Sequence, residues 1–147
     1  MKTILWITAG LGIALLSGAW AMALDAPAGL VCEVKDGYVS FTWDEVPGAD
    51  KYSVDVEVPI YLEGSDTPYR IVELSFGTSD RMDGYLMNDP FLDVPLNEFS
   101  YLNGSDDDPW LDLLSGPATA KVKALNPGKQ RGRQDHVFSD VCEFTLP

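Results

Sequence analysis

The sequence predicts an all-β fold, an antiparallel sandwich of about seven short strands. Three observations predict it. Apolar and polar residues alternate along most of residues 24–147. Short clusters of Gly, Pro, Asp and Ser separate these runs. No long helical pattern is present to cross over a parallel sheet.

Leu30, Cys32 and Val34 mark the first strand, and Asp36-Gly37 is a hairpin-turn signal. Val39, Phe41 and Trp43 then alternate with Ser40 and Thr42. After the loop Val46-Pro47-Gly48-Ala49-Asp50, the residues Tyr52, Val54, Val56 and Val58 give the clearest half-buried strand, which Pro59 is expected to end. Val72, Leu74 and Phe76 form the next. Leu92, Val94 and Leu96 suggest a short strand, with Pro95 pointing to an edge. Ala120, Val122 and Ala124 alternate with Lys121 and Lys123, and Cys142, Phe144 and Leu146 come last. One segment reads differently. In Asp108-Pro109-Trp110-Leu111-Asp112-Leu113-Leu114-Ser115-Gly116, Asp108 suits an N-cap, Pro109 a first helical position and Gly116 a terminator. A short helix before the sixth strand is therefore expected.

The first 23 residues read as a secretory signal peptide: a charge at Lys2, an apolar run Ile4–Leu16, and a small-residue exit in Ala19-Trp20-Ala21-Met22-Ala23. Cleavage before Leu24 leaves one domain, 24–147, that is secreted or periplasmic and has no stable membrane insertion. The whole chain carries 23 acidic and 10 basic residues, a formal net charge of −13. Removing Lys2 leaves 9 against 23, or −14. Such an acidic surface argues against nucleic acid, whose phosphates need a basic footprint. Export also bears on Cys32 and Cys142. Each shares the phase of its apolar neighbours, so both thiols are expected to face inward, and an oxidising compartment favours a disulfide between them. Two buried free thiols are the alternative.

Several runs resemble the fibronectin type III family. Ala26-Pro27-Ala28-Gly29-Leu30 is similar to its proline-led first strand. Gly37-Tyr38-Val39-Ser40-Phe41-Thr42-Trp43-Asp44 is similar to its second, with a core tryptophan. Val46-Pro47-Gly48-Ala49-Asp50-Lys51-Tyr52-Ser53-Val54 resembles the loop and third strand that follow, with an inward tyrosine. Lys121-Val122-Lys123-Ala124-Leu125-Asn126 resembles the sixth strand, and Ser139-Asp140 the entry to the last. The resemblance implies an immunoglobulin-like sandwich and non-catalytic binding. Three features depart from the family: Gly116-Pro117-Ala118-Thr119 lacks its corner tyrosine, residues 59–117 are longer than such a sandwich requires, and the pair Cys32 and Cys142 is not general to it.

Candidate sites fall in two loops. Lys121, Lys123, Lys129, Arg131 and Arg133 are five of the nine basic residues beyond the signal segment. Lys129, Arg131, Arg133 and His136 lie between the last two strands, where a sandwich places recognition loops. Guanidinium groups grip carboxylate or phosphate in pairs of hydrogen bonds. With Trp110, these residues are the expected contact for an extracellular or cell-envelope protein or glycan. The bland account is that the cations pair with the domain's own carboxylates. Asp106, Asp107 and Asp108 are the other cluster, of the type that hard cations such as Ca²⁺ take. Together with nearby aromatics they define the alternative, a Ca²⁺-dependent carbohydrate-binding module. The bland account of them is a solvated acidic loop with a helix cap. Otherwise no cofactor is expected. His136 is the sole histidine and no nucleophile is paired with it by motif, so the sequence predicts no enzyme.

Overall fold

The computed structural model describes residues 24–81, 84–126 and 136–147. The expected signal segment and Lys129, Arg131 and Arg133 lie outside them. Nine strands are described: β1 (Val31–Lys35), β2 (Tyr38–Thr42), β3 (Lys51–Ile60), β4 (Arg70–Gly77), β5 (Phe91–Pro95), β6 (Ser100–Ser105), β7 (Asp108–Leu113), β8 (Gly116–Leu125) and β9 (Cys142–Leu146). They form a three-stranded sheet in the order β1-β2-β5, a four-stranded sheet in the order β4-β3-β8-β9, and a two-stranded ribbon, β6-β7. Every pairing is antiparallel.

The expected alternation builds the two main sheets. Tyr52, Val54, Val56 and Val58 of β3 are fully buried, as are Val39 and Phe41 of β2 and Val122 of β8. Each buried Val contributes roughly 1.5–3 kcal/mol of transfer free energy. The sheets meet through aromatic rings. Phe41 of β2 meets Phe144 of β9 edge to face at 5.7 Å, and Phe99 meets Phe144 at 6.1 Å. Trp43 and Tyr52 are core residues, as expected, with ring centroids 5.1 Å apart. The Tyr52 hydroxyl accepts the Val46 N–H at 2.9 Å and so holds the loop between β2 and β3.

Turn chemistry also follows the sequence. Lys35 pairs with Tyr38, leaving Asp36-Gly37 as a two-residue loop. Both residues have positive φ, 53° and 86°, the requirement of the tight turn whose twist matches a hairpin. Pro59 does not end β3, which runs on to Ile60. The β3–β8 pairing stops at Glu57–Thr119, so the proline lies where β3 has β4 alone as a neighbour. Its missing N–H costs no ladder bond on the β8 side.

Two further sequence expectations are corrected. Nine strands, not about seven, stand among the described residues, and the expected helix at 108–116 is absent. Asp108–Leu113 is β7, paired with β6 from Ser105–Asp108 to Ser100–Leu113. The physical reason is in the residues. Trp110 and Asp112 occupy one face and Leu111 and Leu113 the other, a period of two. A helix this short is marginal in water without packing, whereas β6 satisfies the backbone of β7 directly. Among the described residues, helical turns are limited to the 3₁₀ segments Thr78–Asp80 and Leu96–Glu98.

Cys32 and Cys142 are disulfide-bonded, with Cα atoms 6.0 Å apart. The bond ties β1 to β9, the edge strands on one flank of the sandwich. Both cysteines are half-buried at the margin of the core rather than fully inward, and Val31 and Val34 beside Cys32 are exposed. An edge strand with one neighbour is only partly covered.

Candidate interaction surface

The β6-β7 ribbon grows out of the core. Its base is Phe99, fully buried, and Leu114, nearly so, joined by a Leu114 N–H to Phe99 C=O bond of 2.8 Å. Phe99 packs on Phe76 of β4 at 5.1 Å. Beyond this base the ribbon turns its polar face inward and its apolar face outward. Tyr101, Asn103, Trp110 and Asp112 alternate onto one face. There, Asn103 Nδ2 donates to Asp112 Oδ2 at 2.9 Å, and the Arg70 guanidinium of β4 lies 5.3 Å from the Tyr101 ring centroid. Tyr101 packs against the core.

The opposite face carries Leu102, Leu111 and Leu113, which are 60%, 71% and 68% exposed. Leu102 and Leu111 are directly cross-strand, and Leu113 follows on the same side opposite Ser100. Scattered surface leucines need no explanation, but three adjacent on one ordered face form an apolar patch of the type that marks contact sites. Asp106 and Asp107 form the turn at the tip, with Asp108 next to them, all exposed.

The two expected partner-binding residues that the structure describes, Trp110 and His136, lie apart. Trp110, 49% exposed, lies on the ribbon, near the Gly116 end of β8. His136 is also exposed, but it lies near the other end. Phe138 bridges to Lys123, and the Ser139 N–H donates to Val122 C=O at 2.8 Å. Ten residues of β8 separate the two places, roughly 33 Å of extended chain. Trp110 and His136 therefore do not form one contact. Lys129, Arg131 and Arg133 are outside the described residues. Asp106, Asp107 and Asp108 remain neighbours at the ribbon tip, and among the described residues no group of three or more His, Cys, Asp or Glu is placed to hold a metal ion.

The described cations are used in a way the sequence did not suggest. Four of the six lie over aromatic rings: Arg70 on Tyr101, Arg81 on Phe91, and both Lys121 and Lys123 on Phe138, at 4.1 and 5.0 Å. Such contacts are worth about 0.5–1 kcal/mol each when exposed. Sequence reasoning also missed the leucine face. The signal was available in the period-two spacing of Leu111 and Leu113, but the helix signals on either side of it outweighed it.

Among the described residues no helix is long and apolar enough to cross a membrane. No family model matches the chain, and no curated protein matches it. One solved structure is similar, the solution structure of the fibronectin type III domain of human fibronectin type III domain containing protein 3. The identity is 18%, the alignment covers 85% of this chain and 87% of that one, and the TM-score is 0.40. The class is read from the chain's own strand order, two antiparallel sheets of three and four strands packed face to face. That strand order is an antiparallel β-sandwich of the kind that the resemblance to the fibronectin type III family implies.

Proposed function

We propose that the protein is an exported, non-catalytic interaction module that grips a partner protein with the β6-β7 ribbon. The observation that carries this is the outward face of Leu102, Leu111 and Leu113 on a ribbon whose base is locked in the core. A rigid apolar face loses little conformational entropy on binding. The acidic tip, Asp106 to Asp108, favours a partner whose contact is rimmed by Lys or Arg. The disulfide and the signal-like leader support an exported setting. The basic residues Lys129, Arg131 and Arg133 serve as a separate, weaker contact for anionic groups.

Immobilised protein, exposed to extracellular or envelope extract, tests this. Leu102→Ser with Leu111→Ser should abolish capture while leaving the melting temperature within about 2 °C, because both side chains are already in water. Arg131→Ala with Arg133→Ala should reduce capture only modestly. Undiminished capture by the leucine variant would remove the ribbon from the proposal. Complete loss in the arginine variant alone would move recognition to the basic loop.

A further inference from the structure

The two flanks of the sandwich differ. On one, β1 and β9 are joined by the disulfide. On the other, β4 and β5 are the outer strands of their sheets, and no described strand pairs with their free edges. Between them lies a groove of about 440 Å³. Phe76 of β4 and Leu92 and Val94 of β5 form its apolar floor, and Asp80, Asp93 and Glu98 stand on its rim.

The hydrogen bonds of β5 reveal which backbone groups face the groove. Pro90 C=O accepts from Trp43 N–H, and Leu96 N–H donates to Gly37 C=O, so even-numbered residues turn their backbone toward β2. Successive residues of a strand alternate in this respect. Phe91, Asp93 and Pro95 therefore turn theirs toward the groove. Phe91 is already satisfied: its N–H donates to Asp89 C=O at 2.9 Å, and its C=O accepts from Arg81 Nη1 at 3.1 Å. The Asp93 N–H, the Asp93 C=O and the Pro95 C=O are left as one donor and two acceptors in a row.

We propose that this flank is a strand-addition site for an extended peptide segment of a partner protein, one that alternates apolar residues with Lys or Arg. The segment adds to the free edge of β5 through the Asp93 and Pro95 backbone groups, in the mode by which peptides extend exposed sheet edges. Its apolar side chains lie on Phe76, Leu92 and Val94. Its cations meet the three rim carboxylates. Among the described residues, Arg81 is the one cation on the rim; three carboxylates outnumber it, and its guanidinium N–H groups already donate to the carbonyls of Thr78, Leu86, Asp89 and Phe91. Asp93 remains available as well. One of its carboxylate oxygens accepts from Ser40 Oγ at 2.6 Å, and a carboxylate has lone pairs for further donors. A second copy of this chain is disfavoured at the same edge, since each copy beyond the signal segment carries a formal charge of −14 (9 basic against 23 acidic). The site lies on the lateral flank and does not rest on the ribbon.

The test uses the ¹⁵N-labelled, disulfide-bonded protein and a synthetic peptide of about eight residues, a usual strand length, alternating valine and lysine. Titration should shift the amide of Asp93 and those around Phe76 and Val94, and should slow hydrogen exchange at Asp93. Two control peptides separate pairing from charge. One is N-methylated at alternate positions, keeping its side chains but losing its donors; the other has glutamate in place of lysine. Both should bind at least about tenfold more weakly. Asp93→Lys with Glu98→Lys should weaken the parent peptide to a similar degree. Equal binding of the N-methylated peptide, shifts centred elsewhere, self-association at this edge, or no binding at all would each overturn the proposal.

Discussion

Thr78 is the buried polar residue on which one end of the sandwich depends. It is fully buried. Its hydroxyl accepts the Tyr52 N–H at 2.9 Å and donates to Met87 C=O at 2.5 Å. One side chain therefore joins the first turn of β3 to the loop before β5. Tyr52 in turn packs on Trp43, so Thr78 supports the residues that the sequence marks as core. Thr78→Val keeps the shape and removes both bonds, leaving the buried Tyr52 N–H unpaired. The expected loss is about 1–3 kcal/mol, measured by denaturant unfolding. Thr78→Ser should recover most of it. If valine cost no more than serine, the hydroxyl would have no structural role.

At the scale of elements, the ribbon is the novelty, and Gly104 controls its shape. Gly104 has φ of 91°. A Cβ there would come within 2.5 Å of Trp110 Cε3 and Cζ3 and of the Asp108 carbonyl oxygen. The ring of Trp110 therefore lies where a side chain at 104 would sit, and it covers the glycine's backbone. Gly104→Ala should displace the indole and cost about 1–2 kcal/mol of local stability from the positive φ alone. The expected signature is a shifted Trp110 indole resonance and faster amide exchange in β6 and β7, with the global melting temperature little changed. Unaltered exchange there would show that the glycine is not needed. The same element marks the limit of what the sequence discloses. Tyr52 to Val58, Ala120 to Ala124 and the Asp36-Gly37 turn are legible because one face of each strand is in the core and the other in water. The ribbon inverts that rule. Its leucines face solvent and its Asn103–Asp112 pair faces the domain, so a pattern read for burial misassigns it. Pro109 and Gly116 then supply helix punctuation for a segment whose partner, β6, is set by tertiary pairing. The separation of His136 from Trp110 follows only from the length of β8.

For the molecule as a whole, the disulfide on one flank adds a large covalent contribution to stability against unfolding. Cys32 and Cys142 are 110 residues apart, so the bond closes almost the entire domain into one loop. In the chain-entropy model a loop of that size is worth about 4–5 kcal/mol, through restriction of the unfolded chain. That is a large share of the roughly 5–15 kcal/mol typical of a domain. It also offsets a specific liability, since the mutual repulsion of a chain with 23 acidic residues favours expansion. Cys32→Ser with Cys142→Ser should therefore lower the melting temperature by about 10–20 °C. Added salt should recover part of the loss by screening like charges. The recovery should be larger for the variant than for the bridged protein, whose unfolded state is already held compact. Calorimetry of both forms across a salt series measures each effect. A fall of only a few degrees would mean that packing between the sheets, not the covalent tie, holds the β1–β9 flank together.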